Sequence, residues 1–167
     1  MGHRDLDIEK YSGVYHWGDK YHFPLWNLSG EMVGYQVYTP TATKVRKKNP
    51  RDMRYFTYLP KYAMTAWGLE LLNPHQKYLL VVEGIFDAIK LHNLGVNCLA
   101  VLGSDSIHLK SWLHTLNHVI VPVCEGDKAG RRLAKLATTD LIEQLPEGVD
   151  VGNMSRVEVH ERFRKYL

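Results

Sequence analysis

Between Tyr78 and Leu145, short apolar runs alternate with segments of helical periodicity, and this alternation constrains the fold more than any other feature of the chain. Tyr78–Val82 is continuously apolar, as a strand covered on both faces must be. Phe86–Asn93 brings Ile89, Leu91 and Leu94 to near-helical spacing, and Gly95 supplies a helix stop. Asn97–Leu102 reads as a second buried strand, Ile107–Leu116 as a helix and His118–Val123 as a third strand. Ala129–Gln144 reads as a further helix, with Leu133, Leu136, Leu141 and Leu145 on or near one face. Such a series predicts an α/β fold whose mostly parallel sheet is flanked by helices on right-handed crossovers.

The region before Ala63 has a different character. His22–Trp26 and Met32–Tyr38 alternate as strands do, and the turn-forming set Asn27, Leu28, Ser29 and Gly30 joins them. A small β-rich module is therefore expected over residues 1–62, with a last short strand at Arg54–Leu59, followed by the α/β domain over 63–153 and a closing helix over 154–167. The chain has 167 residues, of which 45% are hydrophobic and 23% charged, an ordinary balance for a globular protein. No apolar run is long enough to cross a bilayer. Arg4, Asp5, Asp7, Glu9 and Lys10 interrupt any secretory pattern at the start, so a cytoplasmic location without membrane contact is expected.

Charge is concentrated locally. The net charge is only +3, yet Lys44, Arg46, Lys47, Lys48, Arg51 and Arg54 crowd one stretch beside Tyr55, Phe56 and Tyr58. That stretch reads either as a solvated loop or as a surface that holds phosphates while rings stack on bases. Cys98 and Cys124 fall inside apolar segments and read as buried reduced thiols. The nine histidines lack metal-ligand spacing. Trp17, Trp26, Trp67 and Trp112 are expected to pack rather than stack on bases.

The acids at the strand ends carry the chemistry. Glu83 and Gly84 immediately follow Tyr78–Val82, with Asp87 one helical turn later. Glu125, Gly126 and Asp127 immediately follow His118–Val123, ahead of Lys128, Gly130 and Arg131. Ligands of parallel α/β sheets gather at these carboxyl ends. If the two strands are neighbours, Glu83, Glu125 and Asp127 converge and repel unless a cation lies between them. Hard oxygen ligands of this kind suit Mg²⁺ or Mn²⁺, which also bridge phosphates. Gly84, Gly126 and Gly130 would let the backbone approach a phosphorylated ligand. Asp87 reads equally as an auxiliary ligand or a first-turn helical acid. Lys128 and Arg131 read equally as contacts to a triphosphate or as balance for the local charge.

Glu83-Gly84-Ile-Phe-Asp87 resembles the first motif of Toprim domains, and Glu125-Gly126-Asp127-Lys128-Ala129-Gly130 the second. Upstream, His22-Phe23-Pro24-Leu25, Gly30, Val33-Gly34-Tyr35, Arg54-Tyr55-Phe56-Thr57 and Trp67-Gly68-Leu69 resemble, in order, segments of bacterial and phage DNA primases, as does Leu102-Gly103-Ser104 downstream. The resemblance spans residues 20–153. It departs from the family where Glu125 replaces an aspartate, where Tyr38 stands at an arginine position, and where a third Asp-x-Asp motif is reduced to Asp150. The strand that should precede Asp150 is hard to find between Leu141 and Glu147.

The resemblance implies a Rossmann-like Toprim sheet in a compact, phage-encoded, primase-like protein that lacks zinc-binding and helicase domains. Its implied reaction is nucleotidyl transfer from nucleoside triphosphates, making RNA primers on a single-stranded DNA template, with a replicative helicase as a possible partner. Mg²⁺ or Mn²⁺ would be held by Glu83, Glu125 and Asp127, with Asp87 and Asp150 assisting. Lys44, Arg46, Lys47, Lys48, Arg54, Lys128 and Arg131 would bind nucleic acid or nucleotide. Two other readings of the same residues are a Toprim nuclease, with Glu83 as general acid or base, and a non-catalytic remnant that grips nucleic acid or replication proteins.

Overall fold

A computed structural model describes residues 3–103 and 106–167. Strands β1 (Tyr15–Trp17), β2 (Lys20–Trp26), β3 (Met32–Tyr38) and β4 (Tyr55–Tyr58) form an antiparallel sheet in chain order. The β2–β3 turn is built by Asn27, whose side-chain oxygen accepts from the backbone N–H of Ser29 at 3.0 Å and of Glu31 at 2.9 Å. Turn chemistry of this kind is what makes Asn a turn residue.

The second sheet holds β5 (Tyr78–Val82), β6 (Cys98–Ala100), β7 (Val119–Cys124) and β8 (Glu143–Gln144), all parallel, in the order β6-β5-β7-β8. Helices α1 (Ile85–Leu94), α2 (Lys110–Thr115), α3 (Lys128–Leu133) and α4 (Arg156–Phe163) accompany it. Alternate residues of the apolar strands enter different cores. Leu80, Val82, Cys98, Ala100, Val121 and Val123 pack with α1, α4, Trp67 and the antiparallel sheet through Phe23, Leu25 and Tyr38. Leu79, Val81, Leu99, Val101, Ile120 and Cys124 pack against Leu109, Leu113, Leu133 and Leu136 on the other face. Both faces are dry, which is why no polar residue interrupts these strands. Both thiols are free and buried, and burial pushes them up from the ordinary cysteine range. Among the described residues no helix is long and apolar enough to cross a membrane.

His92 joins the two halves. Its Nε2 lies 2.8 Å from the carbonyl of Cys98 and its Nδ1 lies 3.1 Å from the hydroxyl of Tyr11. The neutral tautomer with Nε2–H satisfies both contacts, and burial lowers the imidazole to about 4.

The structure corrects the helix expected over Ala129–Gln144. Helix α3 ends at Leu133, a 3₁₀ turn covers Ala134–Leu136, and the chain then leaves the helical path. The cause is local side-chain competition for backbone groups. Thr138 Oγ1 accepts from the N–H of Ile120 on β7 at 3.0 Å, and Thr139 Oγ1 accepts from the N–H of Leu141 at 3.2 Å. The freed segment becomes β8, pairing Val123 with Glu143 and Cys124 with Gln144. This is the strand that could not be found ahead of Asp150. Trp67 is buried as expected, but Trp17 is 75% exposed on the edge strand β1, so packing does not account for it.

Candidate metal and phosphate cleft

The carboxyl ends of β5 and β7 are adjacent because the strands pair directly, Tyr78 with Val119 through Val81 with Pro122. Glu83 leaves β5 half-buried. Gly84 caps α1 in an extended conformation, which places Asp87 in the first helical turn. Glu125 leaves β7 half-buried. Asp127 caps α3, its Oδ1 accepting from the N–H of Gly130 at 2.7 Å.

A cleft of about 600 Å³ opens above these ends. It is lined by the acids Glu83, Asp87, Glu125 and Asp150 and by the cations Arg4, Lys44 and Arg54. Asp87 Oδ1 accepts from the N–H of Gly152 at 2.7 Å, which ties the first acidic motif to the loop after β8. Asp150 caps that loop, accepting from the Asn153 backbone N–H at 2.8 Å and from its side-chain amide at 2.6 Å. Asp87 thus serves partly as a structural acid and Asp150 as a loop cap.

Electrostatics show that the acids feel one another. Burial raises Glu125 to about 7, with further repulsion from Asp87, Asp150, Glu83 and Asp127. Burial also raises Asp87 to about 6, and Asp150 adds to this while the Gly152 N–H and Arg4 oppose it. Glu83 is raised by burial, then by Asp127 and Asp87. Among the described residues no three His, Cys, Asp or Glu side chains form a ready-made ligating group. The carboxylates are therefore close enough to repel but are not drawn onto a common point. A hard divalent cation suits an all-oxygen donor set whose members gain from opposite charge.

The other sequence candidates divide. Lys44 and Arg54 line the cleft, whereas Arg46, Lys47, Lys48, Lys128 and Arg131 are exposed and do not line it. Arg54 also shapes the basic loop, its Nε donating to the Ala42 carbonyl at 2.8 Å. Alternation along β4 separates the three rings: Tyr55 faces the cleft, while Phe56 lies under Arg51 and Tyr58 stacks on Tyr35. The glycines are explained by the chain's own atoms. A Cβ at Gly130 would collide with the carbonyl oxygen of Glu125, and one at Gly126 would sit 3.1 Å from Cα of Glu147. A Cβ at Gly84 would meet Asp87 Oδ2 at 2.8 Å. Neighbouring protein atoms require close approach at all three. Ser104, the end of the Leu-Gly-Ser segment, lies outside the described residues.

Arg4, Gln36, Tyr38 and Asn153 also line the cleft and had no assigned role in the sequence reading. Tyr38, at the position where an arginine was expected, packs its ring 4.7 Å from Phe86 and 4.9 Å from Tyr55. Nothing near Arg4 in sequence marks it, because its neighbours in the cleft come from distant segments.

The sequence model of the Toprim-like family matches residues 80–157. Over 136 residues the chain is 29% identical to the DNA primases of two Helicobacter pylori strains, covering 78% of this chain and 23% of each relative. It thus spans about a quarter of the length of the curated relatives it matches. Among solved structures, the Escherichia coli primase catalytic core aligns with a TM-score of 0.66 at 23% identity, covering 90% of this chain and 52% of that one. The DnaG primase catalytic domain bound to single-stranded DNA aligns with a TM-score of 0.65 at 23% identity, covering 89% and 50%. At this identity the solved structures bear on the fold alone, and that fold is the α/β core with an added antiparallel sheet.

Proposed function

Proceeding from a Toprim-like domain of the DNA primase type, we propose that this chain is a primase-like protein that transfers nucleotides on single-stranded DNA with the help of a divalent cation. The observation that carries this reading is the cleft itself, where four acids and three cations line one space of about 600 Å³. A cleft lined by both acids and cations suits a phosphorylated ligand that arrives with its own metal. A related primase domain solved with single-stranded DNA supports the choice of template.

Glu83, Glu125 and Asp87 would hold Mg²⁺ or Mn²⁺, each through carboxylate oxygens that face the cleft. Asp127 would assist from the oxygen left over by its capping bond, and Asp150, both of whose oxygens accept from Asn153, would assist through its charge. Such an ion, when bound, orients a phosphate and neutralises charge that develops during phosphoryl transfer. Lys44 and Arg54, which also line the cleft, would receive phosphate, and Tyr55 offers a ring for a base.

The test is incubation of the protein with labelled single-stranded DNA, ribonucleotides and Mg²⁺ or Mn²⁺. Oligoribonucleotide products are expected, and Glu83→Gln is expected to abolish them while sparing DNA binding. Cut DNA would instead establish a nuclease. Neither product with binding retained would establish a non-catalytic module, a reading favoured by the lack of a ready-made ligating group among the described residues.

A further inference from the structure

The solvent face of the antiparallel sheet is aromatic. Phe23, Leu25 and Tyr38 enter the core from β2 and β3, so the residues alternating with them point outward. Register sets Tyr15, His22, Val37 and Phe56 side by side across the four strands, with Pro24, Tyr35 and Tyr58 in the next row. Tyr15 stacks on His22 with centroids 4.5 Å apart, and Tyr35 on Tyr58 at 5.5 Å. These rings stay in water: Trp17 is 75% exposed, Tyr58 55% and Tyr15 52%. A groove of about 470 Å³ lies along them, with Trp17, Tyr35 and Phe56 in its lining. An antiparallel sheet ordinarily shows water a polar face, and a contiguous apolar one marks a place of binding.

Charge selects the occupant. Lys20 and Arg51 line the groove, and among the described residues none of its lining is acidic. The acids nearest the sheet's turns are engaged, Asp19 accepting from Thr41 Oγ1 at 2.7 Å and Glu31 from the Asn27 amide at 2.9 Å. Arg51 also lies 5.9 Å from the centroid of the Phe56 ring. It belongs to the β3–β4 loop, whose Arg46, Lys47 and Lys48 are exposed and whose Lys44 lines the acidic cleft. Cationic side chains thus border both faces of the sheet. A polymer with an anion and a planar apolar ring in every unit matches the cations and the exposed rings together, and single-stranded nucleic acid is such a polymer. An acidic polypeptide shares the charge without a ring in every unit, and a duplex keeps its bases stacked on one another.

We propose that the solvent face of the antiparallel sheet is a stacking platform for single-stranded nucleic acid, with Trp17, Phe56 and Tyr58 receiving bases and Lys20 and Arg51 receiving phosphates. The platform is separate from the acidic cleft. Tyr35, Val37 and Phe56 line the groove, whereas the alternate residues Gln36, Tyr38 and Tyr55 line the cleft on the other face. It therefore needs no metal and no reaction in the cleft. Base stacking and phosphate contact are common to DNA and RNA, and the test separates the two.

Fluorescence anisotropy of labelled oligothymidylate and oligouridylate, with EDTA present, is measured for the wild type and for W17A, W17F, Y58L, R51Q and Y55A. W17A and Y58L should each weaken binding about tenfold, the scale of one lost base–aromatic stack. W17F, which keeps a ring, should retain most of the affinity, and R51Q should flatten the salt dependence as the loss of a phosphate contact does. Inorganic polyphosphate, which has no bases, should bind W17A as it binds the wild type, an outcome that a merely structural role for Trp17 does not predict. Losses confined to oligothymidylate assign the platform to DNA, losses confined to oligouridylate assign it to RNA, and equal losses assign it to both. Unchanged affinity of W17A and Y58L for both oligonucleotides overturns the platform, and a loss in Y55A alone confines the strand to the cleft. Polyglutamate that binds as tightly as the oligonucleotides, with the same dependence on Trp17, gives the face to an acidic polypeptide and overturns the proposal, as does a wild type that binds neither oligonucleotide.

Discussion

Two buried settings for carboxylates lie at the same end of β7, one on the paired strand β8 and one on the loop that follows β7, and behave in opposite ways. Glu143 on β8 is only 6% exposed, yet it is held below the ordinary glutamate range. Burial opposes that shift, but hydrogen bonds from Lys165 and Tyr166 and the charges of Lys165 and Arg162 overcome it. The Tyr166 hydroxyl donates at 2.6 Å, Arg162 Nε lies 3.3 Å away, and Lys165 completes the shell. Glu125, on the loop after β7, is less buried and yet rises to about 7. The difference is the partner. Glu143 carries its cations within the chain, whereas among the described residues Glu83, Asp87 and Glu125 have none in ion-pair range. A carboxylate paired by its own chain is part of the scaffold. One whose neighbours are other carboxylates is a place for a charge from outside.

The comparison can be broken most forcefully at Gly130. Gly130→Ala drives a Cβ into the backbone of Glu125 while leaving Glu143 untouched. It should cost about 3 kcal/mol of stability, the scale of a forced overpacking, read as a fall in the urea midpoint, and should displace Glu125 enough to lose Mn²⁺ binding. Glu143→Gln removes the charge that three side chains were arranged around. Lys165 is largely exposed and Arg162 about one-third exposed, so water screens part of the loss. A decrease of about 2 kcal/mol is expected, with Tm falling accordingly.

The sharpest contrast is the smallest effect. Glu125→Gln should stabilise the metal-free protein at pH 8, by no more than about 1 kcal/mol after solvent screening, because it removes repulsion. The folded state favours protonated Glu125, since its value is raised from an ordinary 4.5 to about 7. Its contribution to stability is therefore fully present below 4.5 and is lost as pH rises through 7. The advantage of Glu125→Gln should accordingly shrink as pH falls from 8 to 5 and vanish near 4.5, in denaturant titrations at fixed ionic strength. Addition of Mn²⁺ should reverse the ranking by stabilising only the wild type. An equal loss of stability in Glu125→Gln and Glu143→Gln would dissolve the distinction between the two settings.

Much of the cleft was legible along the chain. Apolar runs of five or six residues can be strands only if both faces are covered, so the acids after Val82 and after Cys124 had to lie at the ends of a parallel sheet. The hairpin turn at Asn27 and the reduced thiols followed from equally local chemistry. The helix across Ala129–Gln144 misled because its leucine spacing is helical, and period alone does not register that Thr138 and Thr139 divert hydrogen bonds to β7 and to the loop. The basic stretch was visible as charge, but its sequence could not show that Lys44 and Arg54 border the cleft while Arg46, Lys47 and Lys48 do not.

Residue order by itself determined the fold class and the positions of the strand-end acids, because hydrophobic periodicity is a property of short segments. Tertiary structure alone decided the rest. β8 is two residues long and exists only because β7 offers it a partner. Asp127 spends an oxygen on its helix, and Arg4 stands in the cleft over Phe86 while Asp5 beside it pairs with α1 and α4. Each of these depends on groups brought together from separate parts of the chain, and contacts of that kind leave no periodicity to read.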